Sequence, residues 1–316
     1  MDIKDKKIIE ELILNSRIPI NQLAKKVGIS REVCIYRIKK LKQKIIIGFT
    51  TIIDSEALGY NRYECFIQLK GISITKEKEL IKKLEDDKFI TYLSPVVGKW
   101  NIVFDILTKD SNHLENLMQD ITKEFSQYIE NYILIRVGKQ EGIFTTKLVG
   151  TNKQIKSNQH IKGTKIDDID KRILALLSNN SRIEYKELSK KLKLTANAIK
   201  YRIKNLEKSG TIQGYTLSFN IKEVGYDLYN LQLKLGHTRN QELILFLKNH
   251  PNVFYYYKYV GHENWDLDVG ILTKDSLELR DFILELREKF GDIIKIYDFY
   301  MIVEPKKMFS PEGIFT

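Results

Sequence analysis

Two short stretches of the chain carry side chains suited to reading the edges of another molecule. Arg31, Glu32, Ile35, Tyr36 and Lys39 share one helical face in the first, and Ala196, Asn197, Lys200, Tyr201 and Lys204 share one in the second. An arginine offers a planar fork of donors that matches the two acceptors of guanine, and an asparagine amide matches adenine. Arg37, Lys40 and Arg202 lie beside these faces and carry charge suited to phosphates. On an isolated helix such residues would be merely the solvated side. The charge distribution argues for more than that.

The chain has a net charge of +11, and the excess is segregated. Residues 1–50 hold twelve Lys/Arg against five Asp/Glu, residues 165–217 hold twelve against six, and 151–164 add three lysines. The rest of the chain is net acidic. Generic lysine enrichment would not separate the charge in this way, whereas a polyanion-binding surface present in two copies would.

Other chemistries find little support. Cys34 and Cys65 sit in apolar stretches of different elements and read as small core residues of a reducing cytoplasm. The histidines at 113, 160, 237, 250 and 262 lack ligand spacing; His262 with Glu263 and Asp266 is the one arrangement near a metal cluster. No nucleophile elbow, phosphate loop or paired-cysteine motif appears, so the sequence implies neither an enzyme nor a cofactor. No apolar run is long enough to span a membrane, and the N-terminal MDIKDKKIIEELIL reads as an amphipathic helix and not a signal peptide.

The two stretches belong to an internal repeat. Asn15-Ser16-Arg17-Ile18 recurs as Asn180-Ser181-Arg182-Ile183, Tyr36-Arg37-Ile38-Lys39 as Tyr201-Arg202-Ile203-Lys204, and Leu107–Ser111 as Leu272–Ser276. All three pairs share one offset of 165 residues. The segment TNKQIKSNQHIKGT (151–164) joins the copies and reads as a linker. Glu-Gly-Ile-Phe-Thr recurs at 141–145 and 312–316 with a different offset.

Each copy opens with three short helical patterns. In copy two Ile169, Ile173, Leu174 and Leu177 form the first stripe, a second begins at Tyr185 and breaks at Lys193-Leu194, and Thr195 caps a third. Ala198, Ile199, Ile203 and Leu206 are the expected buried stripe of that third helix. Copy one repeats the arrangement, with Gly28-Ile29 as break, Ser30 as cap, and Val33, Cys34, Ile38 and Leu41 as stripe. Helix, tight turn and capped helix make a helix-turn-helix. The β-rich segments 45–53 and 211–219 follow, the first read as a wing and connection.

Strand, helix, strand, strand, helix and strand come next. In copy one they fall at 63–69, 76–87, 90–97, 100–108, 112–128 and 132–137; in copy two at 228–235, 240–249, 253–260, 265–272, 277–290 and 293–303. This is the ferredoxin-like βαββαβ order. Two helices cover one sheet face only. Tyr63, Cys65, Ile67 and Leu69, like Leu231, Leu233 and Leu235, are read as the other face, buried against a second such domain of the same or another chain.

These motifs in order resemble the leucine-responsive regulator/AsnC (Lrp/AsnC) family, in a tandem form like the fused regulators of some archaeal lineages. Copy two carries the run Ile166-Asp167-Asp168-Ile169-Asp170-Lys171-Arg172-Ile173-Leu174, then Asn180–Ile183, Leu188–Leu192, and Tyr201 through Gly210 to Ile212-Gln213-Gly214-Tyr215. Copy one lacks the glycine after its third helix, at Leu41–Ile45, which implies a shorter or differently angled wing. The resemblance implies a DNA-binding regulator whose effector domains take an amino acid or similar small molecule near a Gly…Asp stretch between two strands. The matching positions are Gly98 with Asn101, and Gly261 with Asp266.

The expected fold class is therefore α+β: two repeats, each a winged helix-turn-helix followed by a ferredoxin-like effector and dimerisation domain. The expected boundaries are 1–55, 60–148, a linker at 149–164, 165–220, 225–305 and a tail at 306–316. The expected partners are double-stranded DNA, a small-molecule effector, and an intrachain pseudo-dimer or homo-oligomer through the ferredoxin-like sheets, in the cytoplasm. Two alternatives stand beside this reading. One is an architectural DNA-binding protein. The other is a siroheme decarboxylase-like enzyme, which resembles the same fused domain pair but typically carries a His-Asn-Tyr stretch where this chain has Phe254-Tyr255-Tyr256-Tyr257-Lys258-Tyr259.

Overall fold

Like segments of the two repeats fold together, in a computed structural model that describes residues 1–140, 146–151, 153, 165–236, 240–308 and 312–315. Copy one runs α1 (Ile3–Leu14), α2 (Ile20–Val27), α3 (Arg31–Leu41), β1 (Ile46–Ile53), β2 (Asn61–Leu69), α4 (Ile74–Asp86), β3 (Ile90–Gly98), β4 (Ile102–Thr108), α5 (Ser111–Phe125) and β5 (Ile129–Gln140). Copy two runs α6 (Asp168–Asn179), α7 (Tyr185–Leu192), α8 (Ala196–Lys208), β6 (Ile212–Phe219), α9 (Ile221–Val224), β7 (Asp227–Leu235), α10 (Asn240–Asn249), β8 (Val253–Val260), β9 (Leu267–Thr273), α11 (Ser276–Phe290) and β10 (Ile294–Ile302), before the short β11 (Lys307–Met308). The chain divides into two compact units. One joins Met1–Leu58 to Ile143–Tyr226, and the other joins Gly59–Gly142 to Asp227–Ile314.

The first unit holds both helix-turn-helix segments. Ser30 and Thr195 cap α3 and α8 by accepting the amides of Val33 and Ala198, each at 3.2 Å. The preceding turns are left-handed at Gly28 and at Lys193, the only non-glycine with positive φ among the described residues. Ile199, Ile203 and Leu206 are buried as expected. Val33, expected in the buried stripe of copy one, is instead 42% exposed, because Cys34, Ile38 and Leu41 already fill that face.

The wing of each copy is one strand. β1 and β6 pair with each other, antiparallel from Ile46↔Phe219 to Ile53↔Ile212, instead of each folding back on itself. The absent glycine does not shorten copy one, since both strands have eight residues. Copy two leaves α8 through a left-handed Gly210. Copy one leaves α3 through successive helical turns, with the Ile45 amide donating to Leu41 O at 2.8 Å. Most of the expected linker lies outside the described residues, but its beginning is built onto α1. Val149 is buried, as is Leu148 just before the expected boundary, and Lys153 pairs with Glu10 at 2.7 Å.

The second unit holds both ferredoxin-like segments. Their strands run β10-β7-β9-β8-β5-β2-β4-β3, and β10 pairs with β3 as well, so eight strands close on themselves. Two seams join the copies, β5 to β8 and β3 to β10. The expected faces are exchanged. Cys65 and Ile67 pack with Leu80 and Leu84 of α4 and Leu117 and Ile121 of α5, while Leu231, Leu233 and Leu235 pack with α10 and α11. The face turned to the other copy carries Glu64, Phe66, Asn230, Gln232 and Asp268, all buried. Both faces of β2 and β7 are covered, so apolar alternation marks the helix side and the barrel interior is polar and aromatic.

The second Glu-Gly-Ile-Phe-Thr segment follows β11, which pairs with β3; Gly313 donates to Lys88 O at 2.9 Å and Ile314 is buried. The first, at 141–145, lies outside the described residues.

Gly98 lies on the β3–β10 seam at φ +152, where a Cβ would stand 2.9 Å from Phe299 O. A clash with backbone cannot be relieved by a rotamer change. Gly98→Ala is expected to destabilise the protein by about 1–3 kcal/mol, read as a lower thermal midpoint. An unchanged midpoint would mean that the seam separates freely.

Candidate nucleic-acid interface

The candidate reading helices, α3 and α8, belong to a unit organised around a reciprocal contact between the repeated Asn-Ser-Arg segments. The Ser16 amide donates to Tyr215 O at 3.0 Å and the Ser181 amide to Phe49 O at 2.9 Å, so each loop docks on the strand of the other copy. The two serine hydroxyls meet at 2.5 Å, fully buried. Arg17 donates to Ser181 O at 2.5 Å and Ile183 O at 3.2 Å, and Arg182 returns the bond to Ser16 O. Asn15 and Asn180 hold the loops by accepting the Arg17 and Arg182 amides. Each guanidinium also lies over aromatic rings, Arg17 over Tyr185 and Tyr215 and Arg182 over Phe49. Burial, with the Arg17 charge nearby, lowers the Arg182 pKa from its ordinary value.

This explains why the tetrapeptide occurs twice with the same spelling: each copy supplies donors and acceptors for the other. The β1–β6 ribbon adds Thr51 Oγ1 donating to Leu177 O at 2.7 Å.

Arg31, Glu32, Ile35, Tyr36, Lys39 and Lys40 are all exposed on α3, and Ala196, Asn197, Lys200, Tyr201 and Lys204 on α8. Tyr36 and Tyr201 are 65% and 67% exposed at matching positions. The two faces differ. Copy one exposes Val33 and Ile35 on either side of its polar face, beside an arginine, whereas copy two offers an amide and two lysines.

Arg37 and Arg202, expected to hold phosphates, are engaged in ion pairs within their own copies. Arg37 bridges Asp2 at 2.6 Å and Asp5 at 2.7 Å; Arg202 bridges Asp167 at 2.7 Å and Asp170 at 2.8 Å. These hydrogen bonds raise both guanidinium pKa values. The Asp2 carboxyl falls below its ordinary value because it accepts the Asp5 amide and then the Arg37 guanidinium. At Asp167 burial pushes the pKa up, but the Asp170 amide and Arg202 outweigh it. The same aspartates cap α1 and α6, so each arginine ties a reading helix to the first helix of its own copy. The aspartate pair three residues apart in both copies was the available signal.

The turn residues expected to hold an effector already have structural roles. Asn101 Oδ1 accepts the Leu69 amide at 2.7 Å, and Asp266 accepts the Leu235 amide at 2.7 Å with Lys234 at 3.3 Å. Gly261 takes a left-handed φ of +70 and Gly98 the seam position described above. His262 Nδ1 accepts the Trp265 amide at 3.1 Å, and no group that could hold a metal occurs among the described residues.

A model of the AsnC-type helix-turn-helix domain matches residues 1–42, and one described as winged helix-turn-helix DNA-binding matches residues 166–213. An uncharacterized HTH-type transcriptional regulator of Pyrococcus abyssi is 33% identical over 119 residues, covering 37% of this chain and 80% of that protein. The HTH-type transcriptional regulator FL11 of Pyrococcus furiosus is 32% identical over 119 residues, covering 37% and 78%. Among solved structures, the siroheme decarboxylase NirDL matches 99% of this chain and 97% of its own with a TM-score of 0.67. At 15% identity that is a likeness of fold alone.

Two outcomes follow from this geometry. Arg37→Met and Arg202→Met are each expected to lower stability only slightly, as exposed ion pairs do, and to leave the salt dependence of DNA binding unchanged. Lys39→Met or Lys200→Met should instead flatten the slope of log K against log salt by about 0.9 each. Equal slopes for all four variants would contradict this division of roles. Separately, Arg17→Met leaves Ser181 O without its charged donor and is expected to destabilise the protein by about 1–3 kcal/mol in chemical unfolding. Arg17→Met combined with Arg182→Met should cost less than the sum of the single changes if the contact acts as one unit.

Proposed function

Because the chain belongs to the Lrp/AsnC family of transcriptional regulators, we propose that it binds double-stranded DNA sequence-specifically, with α3 and α8 as two unequal reading helices in one molecule. The observation that carries this reading is the reciprocal Asn-Ser-Arg contact, which holds two capped, cation-bearing helices in a two-fold relation inside one compact unit. Helix-turn-helix dimers read two half-sites about one helical turn apart; here a single chain brings both heads. The N-terminal residues of each helix face the base edges. Arg31 addresses guanine, Asn197 addresses adenine, and the exposed Ile35 side chain fits a thymine methyl group. Lys39, Lys40, Lys200 and Lys204 neutralise phosphates.

A small-molecule effector at the strand turns would be an amine drawn to Asp266 in competition with Lys234, and copy one, with Asn101, would hold it less well. The DNA-facing helices are the better supported of the two sites, since Asn101 and Asp266 each spend an oxygen on a neighbouring strand.

The enzyme alternative loses support at the barrel interior. The described histidines lie elsewhere: His113 pairs with Asp87, His250 with Glu285, and His262 stands in a turn. Conversion of added siroheme would nevertheless overturn the regulator-only reading.

Selection from random duplex DNA at two salt concentrations tests the proposal. A composite motif with two unlike half-sites is expected to persist at the higher salt. Arg31→Ala should relax one guanine and Asn197→Ala one adenine, each by about 1–3 kcal/mol of discrimination. Perfect palindromes alone would contradict unequal reading, and binding without a motif that fades with salt would indicate an architectural role.

A further inference from the structure

The barrel interior contains a hydrogen-bonded network that spans both repeats and is short of protons. Glu64 of β2 and Asp105 of β4 are direct cross-strand partners, both buried. Asp268 of β9 is wholly buried. Arg62 pairs with Asp105 at 2.8 Å and lies over the Tyr257 ring, leaving Glu64 and Asp268 without a guanidinium.

Tyrosine hydroxyls of copy two serve those two carboxyls. Tyr257 donates to Glu64 at 2.8 and 3.0 Å, and Tyr300 reaches Asp268 at 3.2 Å. The Tyr259 oxygen stands 2.6 Å from Glu64 Oε2 and 3.1 Å from Asp268 Oδ2, and receives Gln232 Nε2 at 3.4 Å. Four hydroxyl–carboxyl contacts therefore draw on three hydroxyl protons, because Tyr259 can donate to only one of its two neighbours. The contact that remains requires a proton on a carboxyl. Around them the Asn230 amide is engaged with Asp268, while Gln232 Oε1 and Asp105 Oδ1 are themselves buried without a donor.

We propose that Glu64 and Asp268 share one bound proton through the Tyr259 hydroxyl, and that closure of the barrel across the two repeats is linked to this proton. The chemistry is balanced: the proton comes from water on closing and returns to water on opening. In its absence two carboxylates of opposite repeats face a single hydroxyl in a dry interior, where charge is costly. Tyr257 and Tyr259 belong to β8, which forms a seam with β5, so the repulsion falls where the copies join.

The neighbouring groups are accounted for on every side. β7 brings Asn230 and Gln232, β8 brings Tyr255, β4 brings Asp105, and β3 brings Tyr92. β5 brings Ile135, the apolar partner of Glu64. Burial raises the Glu64 carboxyl well above its ordinary range, with the Asp268 and Asp105 charges adding to the effect. Burial likewise pushes Asp268 up to about 7, against the hydrogen bonds from Asn230, Tyr259 and Tyr300.

The sign follows from the raised folded-state value. Below about pH 4 the folded and unfolded chains both hold the proton and the stabilisation is complete. Between about 4 and 7 only the folded chain holds it, so stability falls as pH rises and levels off above that range.

The test is chemical unfolding of the full chain from pH 5 to pH 8, beside the infrared band of protonated carboxyls. In the wild type a carboxyl band is expected at pH 6 that fades as pH rises through about 7. Relative to Glu64→Gln and to Asp268→Asn, the wild-type folding constant should fall about tenfold more for each pH unit between 5 and 7. Parallel pH profiles for wild type and both variants, or a wild-type spectrum without the band at pH 6, would overturn the proposal. Should either variant fail to fold, the wild-type spectrum still decides.

Discussion

Backbone hydrogen bonding between the repeats is the constraint on which the rest of the structure depends. A four-stranded ferredoxin-like sheet leaves two open edges, and open edges are sites of uncontrolled association. Here β5 takes β8 and β3 takes β10, so both edges of each sheet end on the other copy. The same logic governs the helix-turn-helix unit, where β1 has no partner in its own repeat and pairs with β6. A lone repeat would expose two sheet edges, one unpaired strand and a buried polar face at once. Placing both copies in one chain makes these pairings intramolecular, so their closure does not depend on protein concentration.

Duplication also frees the copies to differ wherever reciprocity is not required. At the serine–arginine contact the copies are spelled alike, because each serves the other. Inside the barrel they diverge. The cross-strand pair Glu64–Asp105 of copy one has Asn230–Gly270 as its counterpart in copy two, and Gly270 leaves room for the Tyr255 ring, which a Cβ would approach to 2.5 Å. That ring reaches Asn230 at 2.9 Å, and Asn230 in turn reaches Asp268. A homodimer must repeat every interior choice twice. This chain sets carboxyls mainly from one copy against tyrosines from the other, and the reading helices diverge in the same way.

Much of this was legible in the sequence because it is local. Caps at Ser30 and Thr195, the left-handed turn at Gly28 and the strand–helix order all follow from spacing and side-chain type. The 165-residue offset disclosed the two-fold design, although not the manner of pairing. What escaped depends on which residues meet across long separations. Alternation along Tyr63–Leu69 identifies two faces without saying which one the helices take, and the apolar set packs on the helices instead of on the other copy. Arg37 and Arg202 look like phosphate ligands in a helical projection, and only the position of α1 and α6 shows their aspartate partners.

The buried network marks the deeper limit of such reading. Glu64 lies between Tyr63 and Cys65, and Asp268 between Leu267 and Val269, in strands that are otherwise apolar or aromatic. A lone acid in such a strand is ordinarily assigned to the solvent side, because burying a charge without a partner is so unfavourable. The inference fails when the partner belongs to another element far away in sequence. Tyr257 and Tyr259 lie 193 and 195 residues from Glu64. The aromatic run that contains them looks like core or interface and is both. Its hydroxyls are what allow acids to enter the barrel, and their shortage by one proton is what makes the interior responsive to the medium rather than inert.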